Sequence, residues 1–253
     1  PTGTAVLVHA WSDGAQPAAH SAASRDPLRP AYIIFTSGTT GKPKGVVLSQ
    51  AEVLAHSDTY TSGLQITAAD RLCMLAAYSF EAAIMDIVGA LLNGACLFVW
   101  NIRREGLSGG IARIAGEGIT IFHSTPTVFR HVFGGTDEAP AHLRLVILGG
   151  ERTTSGDVAL FQRNCPADAT LVNGLGPTEC TIICQAFFQR SSEVVEPVPI
   201  GRPVDGLEVS IQDGQGMPVL PGDEGELVVR GAQVRSEARR VGPECRSRWS
   251  QYQ

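Results

Sequence analysis

Apolar residues along this chain change their period repeatedly, and the changes mark out a succession of short strands and helices. Tyr32-Ile33-Ile34-Phe35 and Val46-Val47-Leu48 are unbroken apolar runs and predict two strands with a turn-rich segment between them. From Gln50 to Leu64 the positions Val53, Leu54, Tyr60 and Leu64 predict a helix against one side of a core, followed by a strand through Leu72, Met74 and Leu75. From Phe80 to Asn93, Ile84, Ile87, Val88, Leu91 and Leu92 recur at three- and four-residue spacing, which predicts an amphipathic helix closed by Gly94. A strand over Ala95 to Val99 comes next. Predicted helices at Ser108 to Ala115, Pro126 to Phe133 and Gly156 to Asn164 then take turns with predicted strands at Ile119 to Phe122, Leu143 to Leu148 and Thr170 to Val172. Alternation with short connections implies βαβ units, hence an α/β fold with a mostly parallel sheet covered by helices. Ligands of such sheets sit beyond the carboxyl ends of the strands, where the loops at Thr36, His123, Gly149 and Asn173 are expected to converge.

The ends of the chain read differently. Residues 1–30 hold a short strand candidate, Ala5-Val6-Leu7-Val8, in an extended lead-in. Leu207 to Ile211 and Glu226 to Val229, with turns at Asp213-Gly214 and Pro221-Gly222-Asp223, predict a smaller antiparallel β-rich subdomain. Arg235, Arg239, Arg240, Arg246 and Arg248 crowd the last residues without apolar periodicity. The expected division is an α/β core over 1–199, the start of the β-rich subdomain over 200–234, and a foreign or disordered tail over 235–253.

Composition narrows the field without choosing within it. At 253 residues and 43% hydrophobic content the chain can bury a substantial core. A net charge of −5 gives no reason to expect a nucleic-acid partner. No apolar run approaches the roughly 18 residues that cross a bilayer, and Pro1-Thr2-Gly3-Thr4 opens no signal peptide, so no membrane role and a cytoplasmic location are expected. Six cysteines, at 73, 96, 165, 180, 184 and 245, form no C-x-x-C pair, which favours reduced thiols over disulfides or a zinc site.

The candidate chemistry begins between the first two long strands. Thr36-Ser37-Gly38-Thr39-Thr40-Gly41-Lys42-Pro43-Lys44-Gly45 contains the chain's only two lysines and its densest run of hydroxyls and glycines. Glycines let backbone N–H groups approach a ligand, and Thr36, Ser37, Thr39, Thr40, Lys42 and Lys44 add hydroxyl and cationic donors, a combination suited to a polyphosphate. A surface hairpin is the plainer alternative. A P-loop is excluded, because G-x-x-x-x-G-K-[ST] is not satisfied and Pro43 follows Lys42. A second block, Asn173-Gly174-Leu175-Gly176-Pro177-Thr178-Glu179, places a hard carboxylate beside a hydroxyl, suited to Mg²⁺, although standing alone it reads more readily as a Gly-Pro turn with a surface glutamate.

The run TSGTTGKPKG resembles, without gaps, the signature phosphate loop of the adenylate-forming superfamily of acyl-CoA synthetases, luciferases and peptide-synthetase adenylation domains. The Asn173 to Glu179 block resembles that superfamily's N-x-Y-G-P-T-E motif, with Leu175 in place of the aromatic residue. The resemblance implies ATP and Mg²⁺ as cofactors, with Lys44, Thr178 and Glu179 catalytic. It assigns Glu179 to the metal and Thr178 to the α-phosphate, and it sets Asn173, Gly174 and Gly176 against the nucleotide or acyl group. Tyr78-Ser79-Phe80-Glu81-Ala82-Ala83-Ile84-Met85-Asp86 resembles the FDxSxWE pocket motif of nonribosomal peptide synthetases. Glu81 stands where those domains keep an aspartate for the substrate's ammonium, and Met85 where they keep tryptophan. The remaining implied pocket positions are Ala82, His123, Ile147, Gly149, Gly174 and Ile182. Glu81 also reads as a first-turn residue favourable to the helix dipole, and His123 as a satisfied structural histidine.

The implied activity is ATP-dependent activation of a carboxylic acid, an amino acid above all, as an acyl-adenylate with release of pyrophosphate. The product would pass to the phosphopantetheine thiol of a carrier domain or to coenzyme A. A stand-alone acyl- or aryl-CoA synthetase fragment and a non-catalytic nucleotide-binding module are the alternatives. The superfamily's C-terminal adenylation subdomain carries a lysine, and no lysine follows Lys44 here. The chain is therefore expected to be part of such an enzyme, resembling it over residues 30–234, and inactive alone.

Overall fold

The computed structural model describes residues 5–6, 26–36, 43–135 and 140–234. Leu7 and Val8 of the first strand, most of the lead-in, the loop residues Ser37, Gly38, Thr39, Thr40, Gly41 and Lys42, and the arginine-rich tail 235–253 lie outside the described residues. In chain order the elements are β1 (Ala5–Val6), β2 (Pro30–Thr36), β3 (Lys44–Ser49), α1 (Gln50–Leu64), β4 (Arg71–Met74), α2 (Glu81–Leu91), β5 (Cys96–Val99), α3 (Ile102–Glu105) and α4 (Gly110–Gly116). Then follow β6 (Ile121–Ser124), α5 (Pro126–Phe133), β7 (Leu145–Leu148), α6 (Ser155–Asn164), β8 (Thr170–Leu175), β9 (Cys184–Phe188), β10 (Arg202–Pro203), β11 (Leu207–Gln212) and β12 (Glu226–Gly231).

Eight strands form one sheet in the order β1-β5-β4-β6-β7-β8-β9-β10. The run from β5 to β8 is parallel, as the alternation of strands and helices predicts. β1, β9 and β10 pair antiparallel with their neighbours. The hairpin β2–β3 and the hairpin β11–β12 are separate two-stranded sheets. Among the described residues no helix is long and apolar enough to cross a membrane.

Side chains alternate across the sheet and build a core on each face. Cys73, Phe122, Val146, Leu148 and Leu171 pack with Ile114, Phe129, Phe133, Val158 and Phe161 of α4, α5 and α6. Leu72, Met74, Ile121, Leu145, Ile147 and Val172 pack with Tyr60 and Leu64 of α1 and with Ala83, Met85 and Ala90 of α2. Each fully buried large side chain contributes about 1.5–3 kcal/mol, so the two layers dominate the stabilisation. Both faces being covered, the strand ends are left as the edge where polar groups can gather. Val204, Leu207 and the half-buried Val209, Leu227 and Val229 join the α1–α2 layer, so the β11–β12 hairpin packs against that core.

α2 turns a different face inward from the one that apolar spacing picks out, and α1 does so only in its first turns, since Tyr60 and Leu64 are buried as expected. In α1 the buried residues are His56, Ser57, Tyr60 and Leu64, while Leu54 points to solvent. In α2 they are Ala83, Met85, Asp86, Gly89 and Ala90, whereas Leu91 and Leu92 are exposed and Ile84, Ile87 and Val88 only half-buried. The reason is the approach of the two helices. A Cβ at Gly89 would sit 3.0 Å from Tyr60 Cε1, so α2 presents its small residues to the Tyr60 ring and its larger ones turn outward. The strand β9 and the one-turn helix α3 were not foreseen, since neither shows a periodic run long enough to read.

The amino-terminal ends of the strands are tied by one carboxylate. Asp70, 4% exposed, accepts from Arg144 Nε at 2.7 Å and Nη2 at 2.8 Å, from the Thr120 hydroxyl at 2.7 Å and from Thr67 N at 2.9 Å. Arg144 also donates to the carbonyls of Leu64 and Gln65 at the end of α1. Burial alone would raise the Asp70 pKa, but these donors outweigh it and hold the carboxyl below its ordinary value. Asp70→Asn is expected to cost about 2–4 kcal/mol in urea unfolding with an unchanged m-value, the guanidinium's partial exposure placing it toward the lower end of the range for a broken buried pair.

Candidate functional site

Register aligns the carboxyl ends of the parallel strands. Ser124, Leu148 and Asn173 stand side by side, and one step earlier so do Met74, His123, Ile147 and Val172. Gly149 follows β7 at once and its N–H donates to the Ser124 carbonyl at 3.2 Å. Met85, Ile147 and Ile182 lie in one buried cluster, and Ile182 Cδ1 occupies the space where a Gly174 side chain would begin. Five of the expected pocket positions, Glu81, Met85, His123, Ile147 and Ile182, thus gather on the α1–α2 face of the sheet. Ala82, next to Glu81 in the first turn of α2, is half-buried and lies outside the buried apolar cluster.

The centre of this region is charged. His123 Nδ1 and Asp86 Oδ1 are 2.9 Å apart, and the two side chains are 8% and 1% exposed. Burial pushes Asp86 up, and against the burial of its own ring the Asp86 and Glu81 charges raise His123. The short bond makes histidine and carboxylate one proton-sharing unit, in which His123 is held toward its cation because two acids face it. Burial pushes the Glu81 carboxyl up to about 7; His123 opposes that rise, while the charges of Asp86 and Glu179 add to it. Glu81 Oε1, Asp86 Oδ2 and the Tyr60 hydroxyl are buried with no hydrogen-bond partner among the described residues. The α2 amino end, the end of β6 and the β8–β9 turn therefore share one electrostatic space. Asp86 escaped the sequence reading as a partner, because spacing cannot pair residues 37 apart in the chain.

The β8–β9 turn is built tightly. Cys180 N donates to the Pro177 carbonyl at 3.0 Å and Ile183 N to the Leu175 carbonyl at 2.7 Å. Gly176 passes so close to the Thr181 carbonyl that a Cβ has no room, which gives a backbone reason for glycine there. Thr181 itself is in the left-handed region with φ 59°. Its hydroxyl donates to the Cys180 carbonyl at 2.6 Å and lies 2.6 Å from His56 Nδ1 on α1. Gln233, 3% exposed, donates to the Ile182 carbonyl at 2.7 Å from beyond β12. Thr178 and Glu179 sit half-buried on this turn. The Asn173 side chain is occupied on both sides, accepting from the Thr153 hydroxyl at 2.8 Å and donating to the Pro199 carbonyl at 2.9 Å. What Asn173 offers a ligand is thus its backbone and its hold on the neighbouring segments.

A half-buried carboxylate beside a hydroxyl, on a braced turn, fits a Mg²⁺ that takes its remaining ligands from phosphate and water. Among the described residues no group of three His, Cys, Asp or Glu side chains could hold a metal without such help. On the β2–β3 hairpin, Thr36 and Lys44 are register partners, and the Thr36 hydroxyl donates to the Lys44 carbonyl at 3.5 Å. Burial first, and then the charges of Glu81 and Glu52, raise the Tyr32 phenol on β2.

Glu81 has a consequence for stability. Its folded pKa lies above its unfolded value, so the folded chain holds the extra proton between about pH 4.5 and about 7, and stability falls as pH rises through that window. Glu81→Gln, which cannot ionise, is expected to leave unfolding at pH 4 nearly unchanged and to stabilise at pH 8 by up to about 3 kcal/mol. Paired urea titrations at the two pH values check the sign.

The family model described as AMP-binding enzyme matches residues 4–237. Tyrocidine synthase 2 of Brevibacillus parabrevis is 34% identical over 203 residues, 79% of this chain and 5% of that protein. Nonribosomal peptide synthetase fmqA of Aspergillus fumigatus is 33% identical over 226 residues, 87% of this chain and 5% of that protein. The structure of the Klebsiella oxytoca NpsA N-terminal subdomain in complex with 3-hydroxybenzoyl-AMSN superposes with TM-score 0.68 at 27% identity, covering 81% of this chain and 50% of that one. The chain spans a small part of these synthetases and half of the subdomain. With a fold shared over four-fifths of its length and a family match running nearly end to end, this chain belongs to the AMP-binding enzyme family.

Proposed function

We propose that this chain supplies the acid pocket and part of the phosphate site of an enzyme that activates a carboxylic acid as its acyl-adenylate. The observation that carries the reading is the meeting, at the carboxyl ends of the strands, of the buried His123–Asp86 pair and Met85 of α2 with Cys180 and Ile182 of the turn that bears Glu179, with Glu81 feeling the charges of both. An acid seated between α2 and β6 lies next to the turn that bears Thr178 and Glu179. In the reaction, an oxygen of the acid's carboxylate attacks the α-phosphorus of ATP, the bond to the β-phosphate oxygen breaks, and pyrophosphate leaves. Negative charge grows on the phosphoryl oxygens. Lys44, Thr178 and the hydroxyls and amides from Thr36, Ser37, Gly38, Thr39, Thr40, Gly41 and Lys42 are the donors assigned to it. Glu179 would hold Mg²⁺, which when bound supplies further charge neutralisation at the phosphates. Gly174 and Gly176 would line the nucleotide side, and Ala82, Met85, Ile147, Gly149 and Ile182 the acid. The phosphopantetheine thiol of a carrier domain, or coenzyme A, would then take the acyl group.

An amino acid is the first choice of substrate, with Glu81 facing its ammonium. A second reading, an acid without an α-amino group, is favoured by one observation. The Glu81 carboxyl, raised to about 7, is in good part neutral at physiological pH and is then a hydrogen-bond donor. The aryl-acyl ligand of the NpsA subdomain points the same way for that protein.

Calorimetric titration with Mg·ATP tests the phosphate assignment: Lys44→Ala and Glu179→Gln are each expected to weaken binding roughly tenfold, as loss of a charge-assisted contact does. Unchanged affinity in both variants removes those roles. The choice of acid is tested with two acyl-sulfamoyl-adenosine mimics, one aminoacyl and one aryl-acyl. The ionised form of Glu81 makes the ammonium contact, so aminoacyl binding is expected to strengthen between pH 6 and 8, with aryl-acyl binding flat and with Glu81→Gln abolishing the slope. A flat aminoacyl profile combined with tighter aryl-acyl binding decides for the second reading.

A further inference from the structure

We propose that His56 is a positioning residue for the turn that carries Thr178 and Glu179, its Nδ1–H donated to the Thr181 hydroxyl holding Thr181 in the left-handed backbone conformation. The inference rests on the phosphate-site reading for its catalytic meaning, though not for its geometry. Thr181 Oγ1 spends its own proton on the Cys180 carbonyl at 2.6 Å. Toward His56 Nδ1, also at 2.6 Å, it then accepts, which assigns the imidazole the Nδ1–H tautomer and avoids leaving a buried Nε2–H without an acceptor. The bond crosses 125 residues of sequence, from the inner face of α1 to the β8–β9 turn, and both side chains are buried, at 1% and 3% exposure. His56 Nε2 has no hydrogen-bond partner among the described residues, so the ring is held from the Nδ1 side and by stacking on Tyr60 at 5.7 Å between centroids.

Thr181 needs such an anchor. A β-branched residue at φ 59° is an outlier that persists only where its surroundings enforce it. Its carbonyl also lies against Gly176, at the other end of the turn, where no side chain fits. Pinning Thr181 therefore pins both ends of Pro177-Thr178-Glu179-Cys180. Hydroxyl and carboxylate at Thr178 and Glu179 are thereby held in one orientation relative to the strand ends. Without the pin, Thr181 is free to relax toward φ < 0, and the turn loses the close Gly176 contact.

Two substitutions separate positioning from packing. His56→Phe keeps a ring beside Tyr60 and removes the donor, while His56→Asn places an amide N–H where Nδ1 stands. By amide hydrogen exchange, His56→Phe is expected to speed Cys180 and Ile183 roughly tenfold, leave Val146 and Ile147 of β7 at native rates, and be reversed in His56→Asn. Nitrogen-15 spectra of the native chain are expected to show a neutral ring protonated at Nδ1. Mg·ATP affinity should fall severalfold in His56→Phe and recover in His56→Phe/Thr181→Gly, because glycine accepts φ > 0 without an anchor. Uniform acceleration across β6, β7 and β8, identical behaviour of the Phe and Asn variants, or an Nε2–H tautomer overturns the proposal. Local acceleration with native Mg·ATP affinity overturns it too, reducing the contact to a structural one. A native chain that binds no Mg·ATP counts against the phosphate-site reading instead, and the exchange pattern and tautomer then decide the pin alone.

Discussion

One buried carboxylate, Asp70, holds the amino-terminal edge of the sheet together, and the geometry of the opposite edge follows from it. Through Arg144 and Thr120 it joins the starts of β4, β6 and β7, and through Arg144 it reaches the end of α1. A strand that slipped by one residue would turn its whole apolar set to the wrong face, so the register is doubly determined, by this network and by the two packed layers. With the starts fixed and the strands four to six residues long, the carboxyl ends must arrive together. Ser124, Leu148 and Asn173 stand abreast for that reason.

That shared edge is where the fold can tolerate charge. Glu81, Asp86 and His123 are nearly enclosed, yet each influences the protonation of the others, and the Asp86–His123 bond keeps the cluster from being three isolated buried ions. Burial raises Glu81 but works against His123, whose rise comes from the acids that face it, Asp86 first: desolvation favours the neutral acid, and the bonded carboxylate favours the cationic imidazole. Such opposed environments for neighbouring groups are typical of pockets that discriminate among ligands by charge and proton. The cost is local stability, carried by the apolar layers behind it.

Much of this was legible in the residues. The helix Gln50–Leu64 and the helix Pro126–Phe133 agree with the prediction at both ends, and their starts carry local capping signals, Ser49 with Glu52 and Thr125 before Pro126. The parallel sheet followed from alternation alone. The phosphate-loop and Gly-Pro-Thr-Glu motifs pointed to the AMP-binding enzyme family, which the comparisons bear out. The buried face of α2 was not legible. Apolar spacing favoured Ile84, Ile87, Val88, Leu91 and Leu92, but the Tyr60 ring accepts only a small residue opposite it, and Gly89 settles the rotation of the helix.

The sequence by itself determined the order of elements, the fold class and the family, because these depend on local periodicity, caps and contiguous motifs. Which residues face one another was decided by the tertiary structure. His123 with Asp86, His56 with Thr181 and Gln233 with Ile182 pair residues 37, 125 and 51 positions apart. No local pattern encodes such distances. They arise when strands in fixed register and helices in close contact bring distant side chains into a medium where an unpaired polar group is costly, and a partner at hydrogen-bond distance is the arrangement that relieves it.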